Sequence, residues 1–275
     1  MQVYDLHSHS SHSDGVLSPV DLVMRAKSKQ VDVLALTDHD TVSGLEAAAK
    51  QATIEGIDLI PGIEFSSQWN GCGVHIVGLA LDLGLPDIHA AVADVQRRRQ
   101  QRAETIAEKL AKAGIPGALA GASAIAGGET LGRPHFARHL VREGHVSNVN
   151  QAFKRYLGAG KPCDVKNVWP SVEEVVHWVL SAGGTPVLAH PAKYKMTRTK
   201  LCRLVDCFTA SGGLALEVVN GRQAVGMADN LARIATQYGL AASIGSDFHL
   251  PDQPWQELGC SGSLPAQVRP VWELW

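Results

Sequence analysis

Asp5-Leu6-His7-Ser8-His9-Ser10-Ser11-His12-Ser13-Asp14-Gly15 is the stretch on which the reading of this chain turns. It leaves a short apolar run and carries three histidines and two aspartates. Imidazole and carboxylate are the side chains that hold borderline divalent metals. His7 and His9 lie two apart, so in extended chain they face the same side. Two donors leaving a strand end together suit one ion. Taken alone, a Ser/His-rich loop also admits the lesser reading of a solvated turn, and the rest of the chain decides between the two.

The neighbouring sequence alternates short strand patterns with helices. Val3 to Leu6 reads as a strand running into the histidine loop. Ser18-Pro19 opens a helix, with Ser18 as cap, Pro19 in the first turn and Asp21 near the positive end. Its apolar face is read as Val20, Val23, Met24 and the stem of Lys27. Val31 to Leu36 is a second strand ending in Thr37-Asp38-His39-Asp40, and a helix over 42–55 follows. Asp58 to Ile63 is a third strand ending at Glu64, and Val74 to Leu81 a fourth with His75 near its start. This rhythm implies parallel pairing through crossovers, with chemistry at the C-terminal rim.

Residues 87–113 form a long helical pattern whose basic run, Gln96 to Arg102, reads as a solvated face. From Gly114 to Pro170 strand patterns vanish, which predicts a small helical insertion over 114–170 between barrel segments 1–113 and 171–275. Within it, Gly132-Arg133-Pro134-His135 opens a helix. A helix N-terminus beside an arginine suits phosphate, and a plain helix entry with a surface arginine reads almost as well. Beyond it Ser171 caps a helix. Thr185 to Ala189 is a strand ending in His190-Pro191, 214–219 a strand with Glu217 inside it, and Ala241 to Gly245 a strand ending in Ser246-Asp247-Phe248-His249. The tail from Pro251 covers the barrel.

The 275 residues are 45% apolar and 19% charged, with a net charge of −2. That composition fits a soluble globular chain, and no overall basic field recruits long nucleic acid. Five cysteines, an odd count without a C-x-x-C pair, fit a reducing cytoplasm better than a disulfide framework. No signal-like leader or membrane-length apolar run is present, so a cytoplasmic protein without a membrane association is expected.

The strand-end residues His7, His9, Asp14, Asp38, His39, Glu64, His75, His190, Asp247 and His249 make a collective argument. Any one histidine is better read as structural. So many carboxylates and imidazoles gathered at one rim would repel and desolvate one another unless cations neutralise them. A multinuclear metal centre follows.

With these residues in view, the chain resembles the PHP (polymerase and histidinol phosphatase) family. Its motifs D-L-H-x-H-S, T-D-H-D, P-G-x-E, A-H-P and G-S-D-x-H stand in order at Asp5 to Ser10, Thr37 to Asp40, Pro61 to Glu64, Ala189 to Pro191 and Gly245 to His249. Gly132-Arg133-Pro134-His135 and the region from Tyr156 to Pro162 resemble a branch of stand-alone phosphoesterases. That branch acts on nucleoside 3′,5′-bisphosphates and on the 5′ ends of short RNA.

The resemblance implies a distorted (β/α)7 barrel of TIM type with up to three divalent ions. His7, His9, Glu64 and Asp247 would hold one. Glu64 would bridge to a second with His75 and His190, and Asp14, His39 and His249 would hold a third. The oxygen donor at Asp14 favours Mn2+, with Zn2+, Fe2+ or Mg2+ as alternatives. Glu64, Asp247, His190 and His249 would carry the catalysis, while Arg133, His135, Lys161, Asn220 and Arg222 would grip the substrate. The expected activity is removal of the 3′-phosphate from a nucleoside 3′,5′-bisphosphate. A 5′-3′ exoribonuclease on short 5′-phosphorylated RNA is the alternative, and a non-catalytic metal-binding regulatory module the reading from another class. Small nucleotides or short RNA are the expected partners, with no stable protein partner.

Overall fold

The structure is a computed structural model that describes residues 2–128, 131–166 and 168–275. The chain divides into two compact units, one of residues 1–92 with 170–275 and one of residues 93–169.

The first unit is built on one seven-stranded sheet in sequence order: β1 (Tyr4–Asp5), β2 (Val33–Leu36), β3 (Asp58–Trp69), β4 (Cys72–Leu79), β5 (Thr185–Leu188), β6 (Ala215–Asn220) and β7 (Ala241–Gly245). The first strand returns to the last. Leu6 N donates to Ile244 O at 2.9 Å, and His9 N to Phe248 O at 2.9 Å. The result is the expected distorted barrel. Asp5 ties the seam: its two oxygens accept the backbone N–H groups of Ser246 (2.8 Å) and Gly259 (2.9 Å).

The pairing is mixed, where alternation alone predicted parallel strands throughout. β3 and β4 are antiparallel, as are β4 and β5. The cause lies in Trp69-Asn70-Gly71-Cys72. Asn70 and Gly71 both have positive φ (47° and 72°), and Trp69 pairs with Cys72. This is a two-residue hairpin of type I′, for which Asn-Gly is the preferred sequence. It lengthens β3 past Glu64 and brings β4 back beside it.

Side chains alternate along the strands. Val33 and Ala35 of β2 join the core with Leu6, Leu79, Val187, Ala189 and Ala215, whereas Leu34 and Leu36 pack with residues of the outer helices. Those helices are α1 (Pro19–Ser28) and α2 (Leu45–Glu55). Ser18 caps α1 as expected, its hydroxyl accepting from Asp21 N at 3.1 Å. The buried stripe of α1, however, is Leu22, Val23 and Ala26; Val20 and Met24 are 36% and 50% exposed. Each fully buried leucine here contributes about 1.5–3 kcal/mol. The tail covers the far end of the barrel, where Trp272 stacks on Tyr4 of β1 at 3.8 Å.

The second unit is helical. It begins at Ala93, inside α3 (Pro86–Lys112), rather than after residue 113, because Ala103, Ile106 and Leu110 of α3 belong to its core. α4 (Ala118–Ala126), α5 (Arg133–Arg142), α6 (Val149–Ala152) and a π-helical turn at Phe153–Leu157 complete it. Phe136, Leu140, Leu157 and Cys163 fill the centre. The basic run of α3 is not merely solvated. The guanidinium groups of Arg99 and Arg102 lie 5.2 and 5.1 Å from the ring centre of Trp169.

The hairpin can be tested. Gly71→Ala should lower stability by about 1–2 kcal/mol, the cost of a Cβ in the left-handed region. Urea unfolding monitored by circular dichroism reads this directly; an unchanged midpoint would remove the type I′ turn from the account.

Candidate metal centre

Two loops are pinned before any cation is considered. Asp38 accepts from Ser10 N (2.7 Å), Ser10 Oγ (2.6 Å) and Ser13 Oγ (2.7 Å), which fixes the histidine loop. Gly15 closes that loop where a Cβ would stand 2.4 Å from His9 O. Asp40 accepts from Ser66 N (2.6 Å) and Ser66 Oγ (2.8 Å), which ties the end of β2 to β3. Ser8 Oγ donates outward to Ala35 O at 2.7 Å. His7 and His9 therefore turn inward together, as their spacing predicts.

They meet Glu64, which is fully buried. Glu64 Oε1 lies 2.9 Å from His75 Nδ1 and 2.8 Å from His190 Nε2. Glu64 Oε2 lies 3.2 Å from each of His7 Nε2, His9 Nε2 and His39 Nδ1. Asp247 Oδ1 stands 3.5 Å from His7 Nε2 and 3.3 Å from His9 Nε2. Asp14 approaches His249 Nε2 at 3.2 Å and His39 Nε2 at 3.9 Å. The hairpin register explains His75: it pairs with Ser66, two residues from Glu64 on the same face of β3.

His75 and His190 hydrogen-bond to Glu64 Oε1, but much of the remaining proximity is not hydrogen bonding. His7 Nε2, both ring nitrogens of His9, His39 Nδ1, Asp14 Oδ1 and Glu64 Oε2 are buried without a hydrogen-bond partner, although they face one another. Lone pairs that converge at these separations are what an ion needs. Donors around an ion with bonds of about 2.1 Å sit roughly 3.0–3.4 Å apart, from octahedral to tetrahedral. Three sets bring their donor atoms within 4.8 Å of one another: His7, His9, Glu64 and Asp247; His9, Asp14, His39 and His249; and His39, Glu64 and His75. The residues fit divalent metal ions. The first set is the one anticipated and the second adds His9. In the third, His39 stands where His190 was anticipated, while His190 contacts the same oxygen of Glu64 as His75 does.

The electrostatics follow from this crowding. Burial opposes charge on His7, but Glu217, Glu64 and Asp247 outweigh it and raise its pKa well above the ordinary value. Burial likewise opposes charge on His9, yet the facing carboxylates of Asp247 and Glu64 bring it up to about 10. Burial drives His39 down to about 4 despite Glu64 and Asp14. Glu64 and Asp247 are held well below the carboxylate range by the surrounding imidazoles, against their own burial.

Other residues of the centre carried no motif. Glu217, in the middle of β6, takes His7 Nδ1 at 3.0 Å and the backbone N–H of His190 at 2.5 Å. Lys193, on the turn after His190, pairs its ammonium with Asp247 Oδ2. Tyr194 donates to Ala189 O (2.8 Å) and accepts from His75 N (2.9 Å), locking the start of that turn. A carboxylate inside the otherwise apolar run Ala215-Leu216-Glu217-Val218-Val219 was the available signal for Glu217, since a buried charge requires partners.

The anticipated substrate residues stand as follows. Asn220 is buried and donates Nδ2 to Glu217 Oε1 at 3.0 Å, while its Oδ1 is buried without a hydrogen-bond partner. Arg222 is exposed after β6. Arg133, His135 and Lys161 belong to the second unit. There Arg133 lies over Phe153 at 5.8 Å, and its pKa is lowered by burial. His135 Nδ1 accepts from Gly132 N at 3.0 Å and caps the start of α5. Lys161 is exposed.

Comparison with known proteins follows the same lines. A model of the PHP domain matches residues 5–83. The chain is 47% identical over 270 residues to a 5′-3′ exoribonuclease of Haemophilus influenzae, covering 98% of each. It is 41% identical to a 3′,5′-nucleoside bisphosphate phosphatase of Chromobacterium violaceum, covering 98% of this chain and 94% of that one. A crystal structure described as an amidohydrolase from Chromobacterium violaceum, with bound sulfate and no metal, superposes with a TM-score of 0.89 at 40% identity, covering 99% and 95% of the two chains.

Proton linkage gives a test. In the metal-free protein the pKa of His9 is about 10 and that of His7 well above 6.5, so both carry protons at neutral pH. Their pairing stabilises the metal-free fold fully below about pH 6.5 and is lost as pH rises through about 10 for His9. An ion must displace those protons, so its affinity rises with pH across that window. Calorimetric titration of a divalent ion near pH 7.5, in buffers of different ionisation enthalpy, should show release of about two protons per ion at the His7–His9 position. No net proton release would contradict the assignment.

Proposed function

Because the chain belongs to the PHP family and carries this cage, we propose that it is a metal-dependent hydrolase of nucleotide phosphoesters, removing the 3′-phosphate from nucleoside 3′,5′-bisphosphates. The observation that carries the chemistry is Glu64 Oε2, buried within 3.2 Å of three imidazole nitrogens and bonded to none. A divalent cation satisfies that oxygen and the ring lone pairs facing it together.

Hydrolysis of a phosphoester needs positive charge against the non-bridging oxygens and an activated water. A divalent ion held in the cage supplies both, as a Lewis acid that also lowers the pKa of water. His7, His9, Glu64 and Asp247 would hold one ion, Asp14, His39 and His249 another, and Glu64 with His75 and His190 would reach a further position. Asp38 and Asp40 hold the loops so that these donors need not rearrange as charge develops on the phosphoryl group. Lys193, 44% exposed beside Asp247, offers a fixed positive charge at the same rim. Arg133 would take the second phosphate, aided by Lys161 and Arg222. The oxygen donor of Asp14 favours Mn2+ among the divalent ions. The cysteines are all free thiols, in keeping with a cytoplasmic setting, and no helix among the described residues is long and apolar enough to cross a membrane.

The 47% identity to a 5′-3′ exoribonuclease gives equal support to a second substrate, short RNA with a 5′-phosphate. The bond chemistry is shared and only the leaving group grows. Adenosine 3′,5′-bisphosphate and a 5′-phosphorylated trinucleotide, incubated separately with Mn2+-loaded protein, distinguish them. Phosphate released from the first supports the phosphatase, mononucleotides released from the 5′ end of the second support the exoribonuclease, and inactivity on both contradicts hydrolysis.

Two substitutions probe the residues. Glu64→Gln should lower kcat by at least about 100-fold and reduce bound metal, read by elemental analysis of the purified protein. Full metal content and turnover would remove Glu64 from the centre. Arg133→Ala should raise KM for the bisphosphate by about 10-fold or more at unchanged metal content, as the loss of a charge-assisted contact to phosphate. Wild-type kinetics would exclude the second unit from substrate binding.

A further inference from the structure

We propose that Glu217 is a positioning residue that sets two donors of the cage at once, His7 on one side of Glu64 and His190 on the other. The proposal rests on reading the cage as a metal centre. Glu217 belongs to none of the three donor sets and is 2% exposed, in a strand whose six residues are all buried. A carboxylate placed there is destabilising unless hydrogen bonds satisfy it. Three N–H groups do so: Oε1 accepts from His7 Nδ1 and Asn220 Nδ2, each at 3.0 Å, and Oε2 accepts from the backbone N of His190 at 2.5 Å.

Local backbone makes this arrangement possible. β6 carries a bulge between Glu217 and Val219, so that Glu217 opposes Ser243 and Val219 opposes Ile244. In an unbroken strand residues three apart face opposite sides. The extra residue brings Asn220 round to the face of Glu217, a re-aiming that bulges perform elsewhere.

The consequences differ for the two histidines. Accepting Nδ1–H from His7 leaves Nε2 with its lone pair outward, and Nε2 is the atom 3.2 Å from Glu64 and 3.5 Å from Asp247. A carboxylate behind a ligand imidazole fixes both its tautomer and its ring plane. His190 is held through its backbone. Its φ of 28° and ψ of 55° lie in the left-handed region, which a residue with a Cβ seldom adopts. The bond from its N–H to Glu217 holds that conformation, which delivers Nε2 to within 2.8 Å of Glu64 Oε1. Asp247 and Glu64 provide charge for a cation, whereas Glu217 provides direction to the rings.

The test uses the full chain, with Zn2+ as the probe. Glu217→Gln preserves shape, but its amide cannot accept on both sides, so either His190 N or the pair His7 Nδ1 and Asn220 Nδ2 loses its acceptor. Zn2+ affinity, measured by chelator competition, should fall 10- to 100-fold, the range for groups that support metal ligands. In the Zn2+-loaded protein the Nδ1–H proton of His7, read by NMR, should move upfield, since a neutral amide is a weaker acceptor than a carboxylate. If Glu217→Gln does not fold, Glu217→Asp keeps the charge but withdraws it by one methylene, and the same loss of affinity is expected. A folded variant with wild-type affinity and an unshifted His7 resonance overturns the proposal. His9→Ala separates this from failure of the underlying reading: Zn2+ binding unaffected by that change would show that the cage itself is not the metal centre.

Discussion

A buried carboxylate surrounded by five imidazoles is the constraint from which the rest of the molecule follows. Glu64 is fully buried, and each of its oxygens faces at least two histidines. Such a group is stable only when its surroundings carry positive charge. Protons supply it in the metal-free protein, which is why His7 and His9 hold theirs far above the usual range. Divalent ions supply it better, because the donors are already spaced as ligands. The same crowding that makes the site costly without cations makes it selective for them.

The barrel divides this labour between its ends. At one end Trp272 stacks on Tyr4 and closes the interior with apolar contacts. At the other, polar groups from the strands and the loops that follow them gather, and a further tier of buried carboxylates holds those groups in place. Asp5 ties β1 to the segment after β7, Asp38 pins the histidine loop, Asp40 joins β2 to β3, and Glu217 faces His7 and His190. The mixed pairing serves the same end. Only a hairpin after β3 brings β4 back so that His75 stands diagonal to Glu64 on one face. A strictly alternating parallel barrel would have placed a helix there.

Much of this can be read before any coordinates exist. Strand-end placement singled out His7, His9, Asp14, Asp38, His39, Glu64, His75, His190, Asp247 and His249; all but Asp38, which holds Ser10 and Ser13 instead, face one another at one rim. What stayed hidden had local causes. The Asn70–Gly71 dipeptide is a clear hairpin signal, which strand–helix alternation alone does not register. The stripe of α1 was placed on Val20 and Met24 because apolar spacing alone cannot say which of two adjacent faces meets the sheet. Glu217 and Lys193 lack motif neighbours, and their roles depend on contacts 210 and 54 residues away along the chain. Arg99 and Arg102 were read as solvated because Trp169, on which they lie, is remote in sequence.

The central claim is that the buried donors around Glu64 exist to coordinate divalent cations. Crystals soaked in Mn2+ and measured at the manganese absorption edge test it most directly. The account predicts anomalous peaks among His7, His9, Glu64 and Asp247 and among Asp14, His39 and His249, with ligand distances of about 2.0–2.3 Å. Featureless anomalous density at full soak, with the imidazoles hydrogen-bonded to Glu64 and Asp247 instead, would contradict it.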